Sequence, residues 1–124
     1  MNHLKQIAAK LPEYHLDAML VTSEPGEFYA VGFHGEGVAV VTPEKSYYYT
    51  DSRYIEAAGR QIAGAEVAMP DQDRNYRQMV QAIMERHGIS RLGFEKRYMT
   101  VEEYESYQAA LKVELVPASD LMEA

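Results

Sequence analysis

The sequence predicts an α/β layer structure built on a mixed β-sheet, on three observations. Two apolar runs flank a Pro-containing turn in GVAVVTPEKSYYYT, residues 37–50, which signals a β-hairpin. Further short apolar runs, DAMLVT, AEVAMP, RLGFE and KVELVP, recur along the chain. Beyond residue 52 these runs alternate with stretches of helical period, the order of strand–helix–strand crossovers. The early part of the sheet is therefore expected to be antiparallel and the later part to be reached by crossovers.

Leu4, Ile7, Ala8 and Leu11 share one helical face and Pro12 stops the run, so a helix is expected over residues 2–10. Asp17–Thr22 is apolar on both faces and short, which favours a buried strand over a helix. Gly37–Thr42 and Ser46–Thr50 form the hairpin around Thr42–Ser46. Side chains alternate along a strand, so Tyr47 and Tyr49 face one way and Tyr48 the other. Tyr54, Ile55, Ala58 and Ile62 mark a second helical face that ends by Gly64. Ala65–Pro70 is a strand closed by proline. Tyr76, Met79, Val80, Ile83, Met84 and His87 carry the clearest helical period in the chain, with Gly88 as the C-terminal cap. Arg91–Glu95 is a short strand. Thr100 and Glu103 have the spacing of a capping box, with Met99 and Tyr104 placed as its hydrophobic staple, and the helix they open runs to about Leu111. Lys112–Pro117 is the last strand.

With 124 residues the chain suits one domain, and a domain of this size buries roughly two-thirds of its unfolded surface. It has no cysteine, which excludes disulfides and thiolate chemistry and fits a reducing compartment. The net charge of −7 argues against nucleic-acid binding, which needs clustered Lys and Arg. No run approaches the ~20 apolar residues of a membrane span, and the N-terminus lacks the features of a signal peptide. A cytoplasmic location is the expectation.

Motifs for chemistry are mostly missing. The histidines, His3, His15, His34 and His87, include no i, i+4 pair and no H-E-x-x-H. His87 reads as a structural residue at a helix end. Asp71–Asn75 opens like a calcium loop, but Tyr76 stands where glycine is required and Ala82 where the closing glutamate belongs. No serine sits in a G-x-S-x-G elbow. The glycine-rich Gly32–Gly37 precedes a strand, not a helix, and is no phosphate cradle. Two segments remain. FYAVGFHGEG, residues 28–37, reads either as a tight turn with core aromatics or as a binding loop. TDSRY, residues 50–54, reads as helix capping by Asp51 or Ser52 beside a surface arginine. Arg53 there could form an ion pair within the domain.

Taken in order, DAMLVT, YAVGFHG and TDSRYIEAA resemble the N-terminal domain of the Xaa-Pro peptidases: aminopeptidase P, prolidase and their relative creatinase. LGFE (Leu92–Glu95), the threonine-capped helix at Thr100 and LVPASDLM (Leu115–Met122) extend the resemblance over essentially the whole chain. There are departures. The usual asparagine is replaced within EPGEF, Val31 stands for a threonine, and EAAG replaces E-Q-A.

The resemblance implies a ribonuclease H-like α/β fold with a mixed sheet of about five or six strands, residues 1–124 forming one creatinase/prolidase N-terminal domain. It implies a catalytic domain of pita-bread fold C-terminal to this one, absent from this chain. That domain would hold two divalent metals, manganese or cobalt, on aspartates, glutamates and a histidine. The isolated chain is expected to be inactive, with no catalytic or metal-ligating residue of its own. Its expected partners are that catalytic domain, a second copy in a homodimer, and proline-containing peptides at the rim of the active site. Phe33, His34, Arg53 and Tyr54 are the candidate rim residues, and in that role Arg53 would grip a peptide carboxylate bidentately. Two rival readings share the domain: a creatinase-type amidinohydrolase and a non-catalytic peptide- or protein-binding relative.

Overall fold

The computed structural model of the chain describes residues 2–123. Along it run α1 (Leu4–Lys10), β1 (Ala18–Val21), α2 (Glu24–Val31), β2 (Gly37–Val41), β3 (Ser46–Thr50), α3 (Ile55–Gln61), β4 (Ala65–Ala68), α4 (Tyr76–His87), β5 (Arg91–Phe94), α5 (Val101–Ala110) and β6 (Glu114–Pro117). Short 3-10 segments occupy Leu11–Tyr14 and Ser119–Glu123. The six strands form one sheet in the order β4-β3-β2-β1-β5-β6. β1–β2 and β2–β3 are antiparallel; β3–β4, β1–β5 and β5–β6 are parallel. α3 carries the chain from β3 to β4 and α5 from β5 to β6, the crossovers that parallel neighbours require.

Both faces of the sheet are covered. Met19, Val21, Ala39, Val41 and Tyr48 pack with Leu4, Ile7, Ala30, Val31, Ala58 and Ile62 of α1, α2 and the α3 region. Leu20, Val38, Val40, Tyr47, Tyr49 and Leu92 pack with Met79, Val80, Ile83 and Met84 of α4 and Tyr107 of α5. Strands covered on both sides must be apolar on both sides, which is why β1 and β2 read as continuous apolar runs. The three tyrosines divide as alternation requires, Tyr48 to one layer and Tyr47 and Tyr49 to the other. Burying each ring contributes roughly 2–3 kcal/mol.

One element was not expected. The residues after β1, for which no helix was expected, form α2, whose last turn takes up residues 28–31 of the segment read as a tight turn or binding loop, while residues 32–36 remain a loop. Ser23 caps the helix, its Oγ accepting from the Gly26 amide at 2.9 Å, and Pro25 lies in the first turn, where a missing N–H costs nothing. The adjacent Pro25 and Gly26 imitate a turn locally. The helix forms because its N-terminus is held by Glu95, far away in sequence. Elsewhere the expected elements stand with ends moved by a few residues. α1 runs on into the 3-10 turn that Pro12 allows, and α4 opens on a capping box between Asn75 and Gln78. The Thr100–Glu103 box is present as expected.

Candidate functional site

β1 and β3 end, and β2 begins, at the same edge of the sheet, because Val21 pairs with Ala39 and Thr50 with Gly37. This register brings the loop 32–36 beside the turn 51–54. The Thr50 hydroxyl donates to the Glu36 carbonyl at 2.8 Å and fastens one to the other.

Asp51 builds the turn. Its Oδ1 accepts from the Arg53 amide at 3.0 Å, and its carbonyl accepts from the amides of Tyr54 and Ile55. The capping expected of Asp51 or Ser52 therefore takes the form of an Asx-turn leading into α3, and the helix itself starts without a side-chain cap. Arg53 lies across this turn. Its Nη2 donates to Asp51 Oδ2 and Glu36 Oε2, each at 2.6 Å, and its Nε lies 3.2 Å from both Asp51 oxygens. The guanidinium holds the Asp51 carboxyl below its ordinary range, and the two carboxylates hold Arg53 above its own. Arg53 and Glu36 are solvent-exposed and Asp51 is half-buried. The intradomain ion pair is thus formed, and the group as a whole carries one net negative charge. The Arg53 guanidinium also sits over the Tyr54 ring, 5.1 Å from its centroid.

The other candidates divide between core and surface. Phe33 is buried, edge-on to Tyr48 and Tyr54 at centroid distances of 6.1 and 6.3 Å. Tyr54 is half-buried behind it. His34 is exposed and stacked on Phe28 at 4.0 Å, and Phe28 is itself 47% exposed. The outward face of the site is therefore Phe28, His34, Glu36 and Arg53, with Phe33 and Tyr54 supporting it from below. Gly32 terminates α2 in the left-handed region at φ 70°, as a glycine readily does. A Cβ on Gly37 would stand 2.7 Å from the Tyr48 ring, so this glycine admits a neighbour from within the domain.

Two buried carboxylates near this edge escaped the sequence reading. Glu95 Oε1 accepts from the Thr22 and Ser23 amides at 2.9 and 3.1 Å, and Oε2 accepts from the Ser23 hydroxyl at 2.6 Å. Glu27 accepts from the Tyr48 hydroxyl. Burial pushes the Glu27 carboxyl above its ordinary value, and desolvation does the same to the Tyr48 phenol. A helical reading of residues 24–31 would have found Glu27, since it shares a face with Ala30 and Val31 at i, i+3, i+4.

Among the described residues no three His, Asp or Glu side chains stand together as a metal-ligand set, and no helix is long and apolar enough to cross a membrane. A groove of about 810 Å³ lies at the opposite end of the β2–β3 hairpin, between α1 and residues 42–46, and none of the four candidate residues lines it.

A mixed six-stranded sheet covered by helices on both faces defines an α/β domain. The chain belongs to the creatinase/prolidase N-terminal domain family, which matches residues 3–124. Over 110 residues it is 38% identical to the uncharacterized peptidase YqhT of Bacillus subtilis (strain 168), covering 87% of this chain and 31% of that protein. Among solved structures it superposes on a Xaa-Pro dipeptidase from Bacillus anthracis with a TM-score of 0.88 at 28% identity, covering 97% of this chain and 34% of the dipeptidase. It also superposes on the N-terminal domain of the cytoplasmic peptidase PepQ from Mycobacterium tuberculosis H37Rv, with a TM-score of 0.83 at 28% identity and coverage of 98% and 95%. The chain thus spans about a third of the full-length peptidases it matches.

Proposed function

We propose that this chain acts as the non-catalytic N-terminal domain of a metal-dependent Xaa-Pro peptidase, an aminopeptidase or a dipeptidase. The observation that carries the reading is the family match over residues 3–124 together with similarity to peptidases about three times as long. In this reading the two divalent metals, manganese or cobalt, and the bond-breaking step belong to a C-terminal catalytic domain. The present domain packs on that domain, supports a homodimer, and lends the Phe28–His34 and Arg53 face to the rim of a pocket that takes proline-containing peptides. In this reading the contribution of the present domain is to binding. A cytoplasmic location rests on the description of PepQ as a cytoplasmic peptidase.

The test compares the purified 124-residue chain with the product of the complete reading frame that carries it, each incubated with an Xaa-Pro dipeptide and Mn²⁺. Turnover by the longer protein and none by the chain alone is the expected result. Turnover by the repurified chain, or a reading frame that closes without further carboxylate and histidine ligands, would contradict the reading.

A further inference from the structure

The two edges of the sheet differ. At the β2–β3 hairpin the Thr42 amide donates to the Lys45 carbonyl at 3.1 Å. Backbone groups alternate along a strand, so those of Tyr47 and Tyr49 face β2 and those of Ser46, Tyr48 and Thr50 face β4. Tyr48 stands beside Val67, and the parallel ladder therefore takes up Glu66 and Ala68. The backbone groups of Ala65, Val67 and Met69 are left pointing outward, because β4 is the last strand of the sheet. At the other edge the Glu114 and Ala118 amides donate to the Ser90 and Phe94 carbonyls, so Leu115 and Pro117 point outward from β6, and Pro117 has no amide to offer. A proline at an outward position blunts an edge; β4 has none, and Met69 at its end is 44% exposed.

We propose that β4 pairs antiparallel with β4 of a second copy of this chain, about a two-fold axis at Val67, so that two sheets join into one. A strand that pairs with its own copy must be self-complementary, and β4 is. In this register the outward groups of Ala65, Val67 and Met69 meet those of the partner's Met69, the partner's Val67 and the partner's Ala65. Glu66, the charged residue of β4, stands opposite the partner's Ala68, so like charges are not opposed. Charge also favours a second copy over an unrelated strand. Antiparallel pairing carries the chain beyond the partner's Met69 past Ala63 and Gly64, which border the groove that Lys5 and Lys45 line. The residues so delivered are the partner's Asp71 and the partner's Asp73. Both are exposed, in a turn where Asp71 Oδ1 accepts from the Asp73 and Arg74 amides at 2.8 and 2.9 Å. Lys45 is paired with Glu66 at 2.7 Å, while Lys5 is exposed on α1 and makes no ion pair among the described residues. With Glu44 and Arg74 counted, the groove stays net positive and the turn net negative. The proposal gives a surface to the homodimer and in that sense rests on the function proposed above, but the edge and its charges are the domain's own.

The experiment is sedimentation equilibrium of the purified chain at neutral pH and low salt, across the micromolar range. A reversible monomer–dimer equilibrium is the expected result. Val67→Pro removes the central outward amide, which makes no bond within one copy, and should leave a monomer. Lys5→Glu changes an exposed residue outside the strand, which keeps the test decisive should Val67→Pro fail to fold. It should raise the dimer Kd roughly tenfold, the effect of replacing an attractive charge contact by a repulsive one. A chain that stays monomeric throughout, a dimer that folded Val67→Pro leaves intact, or a Kd unmoved in Lys5→Glu would overturn the proposal. The measurement uses neither peptide nor metal, so its failure would leave the peptidase reading standing.

Discussion

Glu95 and Asp17 hold ends of the sheet by the same device, a carboxylate taking backbone amides from a distant part of the chain. Glu95 takes the Thr22 and Ser23 amides and orients the Ser23 cap of α2. Glu95→Ala leaves those donors buried and the cap unsupported, and should cost about 2–4 kcal/mol in urea denaturation. Glu95→Gln retains one acceptor and should cost less. Asp17 Oδ2 takes the Ser90 and Arg91 amides at 3.0 and 2.9 Å, and these bonds lower its carboxyl below the ordinary 3.8. A depressed native value means that the unfolded chain binds the proton more readily. The stabilisation is therefore complete above the ordinary value and is lost as pH falls through the native one. The difference in urea midpoint between wild type and Asp17→Asn should be present at neutral pH and shrink on acidification. A difference that grows with acid would assign the acid sensitivity to other groups.

The helices differ in how locally they are specified, and that decides what could be read from the sequence. α4 and α5 carry their own caps. In each, the cap side chain accepts from the N3 amide, at 2.9 Å in α4 and 3.1 Å in α5. Asn75→Ala and Thr100→Ala should each lower stability by about 1 kcal/mol, and the two losses should add, since the boxes open separate helices and share no partner. Thermal melts of the single and double variants measure this. The periodicity of α4 and the Thr100 box were legible because the information is local. The strands were legible because a sheet covered on both faces demands apolar runs. α2 was not, because Pro25 and Gly26 look like a turn unless Glu95 is known to stand beside them. The Glu27–Tyr48 contact was equally hidden, since two residues 21 apart meet only once α2 and β3 are packed. Of the candidate site, His34 and Arg53 proved exposed and Phe33 buried, a division that depends on where the loop 32–36 folds over Tyr48.

At the scale of the whole molecule, the buried tyrosines of β3 anchor this edge to both core layers, and the exposed face there sets the apolar Phe28 beside His34, Glu36 and Arg53. In the function proposed above, the contribution of this face to another domain's pocket would be to substrate binding and not to the chemical step. In the proposed rim role, Arg53 would exchange part of its pairing with Glu36 and Asp51 to meet a peptide carboxylate, which would limit what it adds to binding. Because these pairs are exposed, Arg53→Ala should leave the denaturation midpoint of the chain close to wild type. The deciding measurement is steady-state hydrolysis of an Xaa-Pro dipeptide by the complete metal-loaded enzyme, wild type against Arg53→Ala. A rise in KM of roughly tenfold with kcat little changed is the result expected of a rim residue. Wild-type KM with lowered thermal stability would return Arg53 to a purely structural role, and a collapse of kcat at unchanged KM would contradict the assignment of this domain to binding.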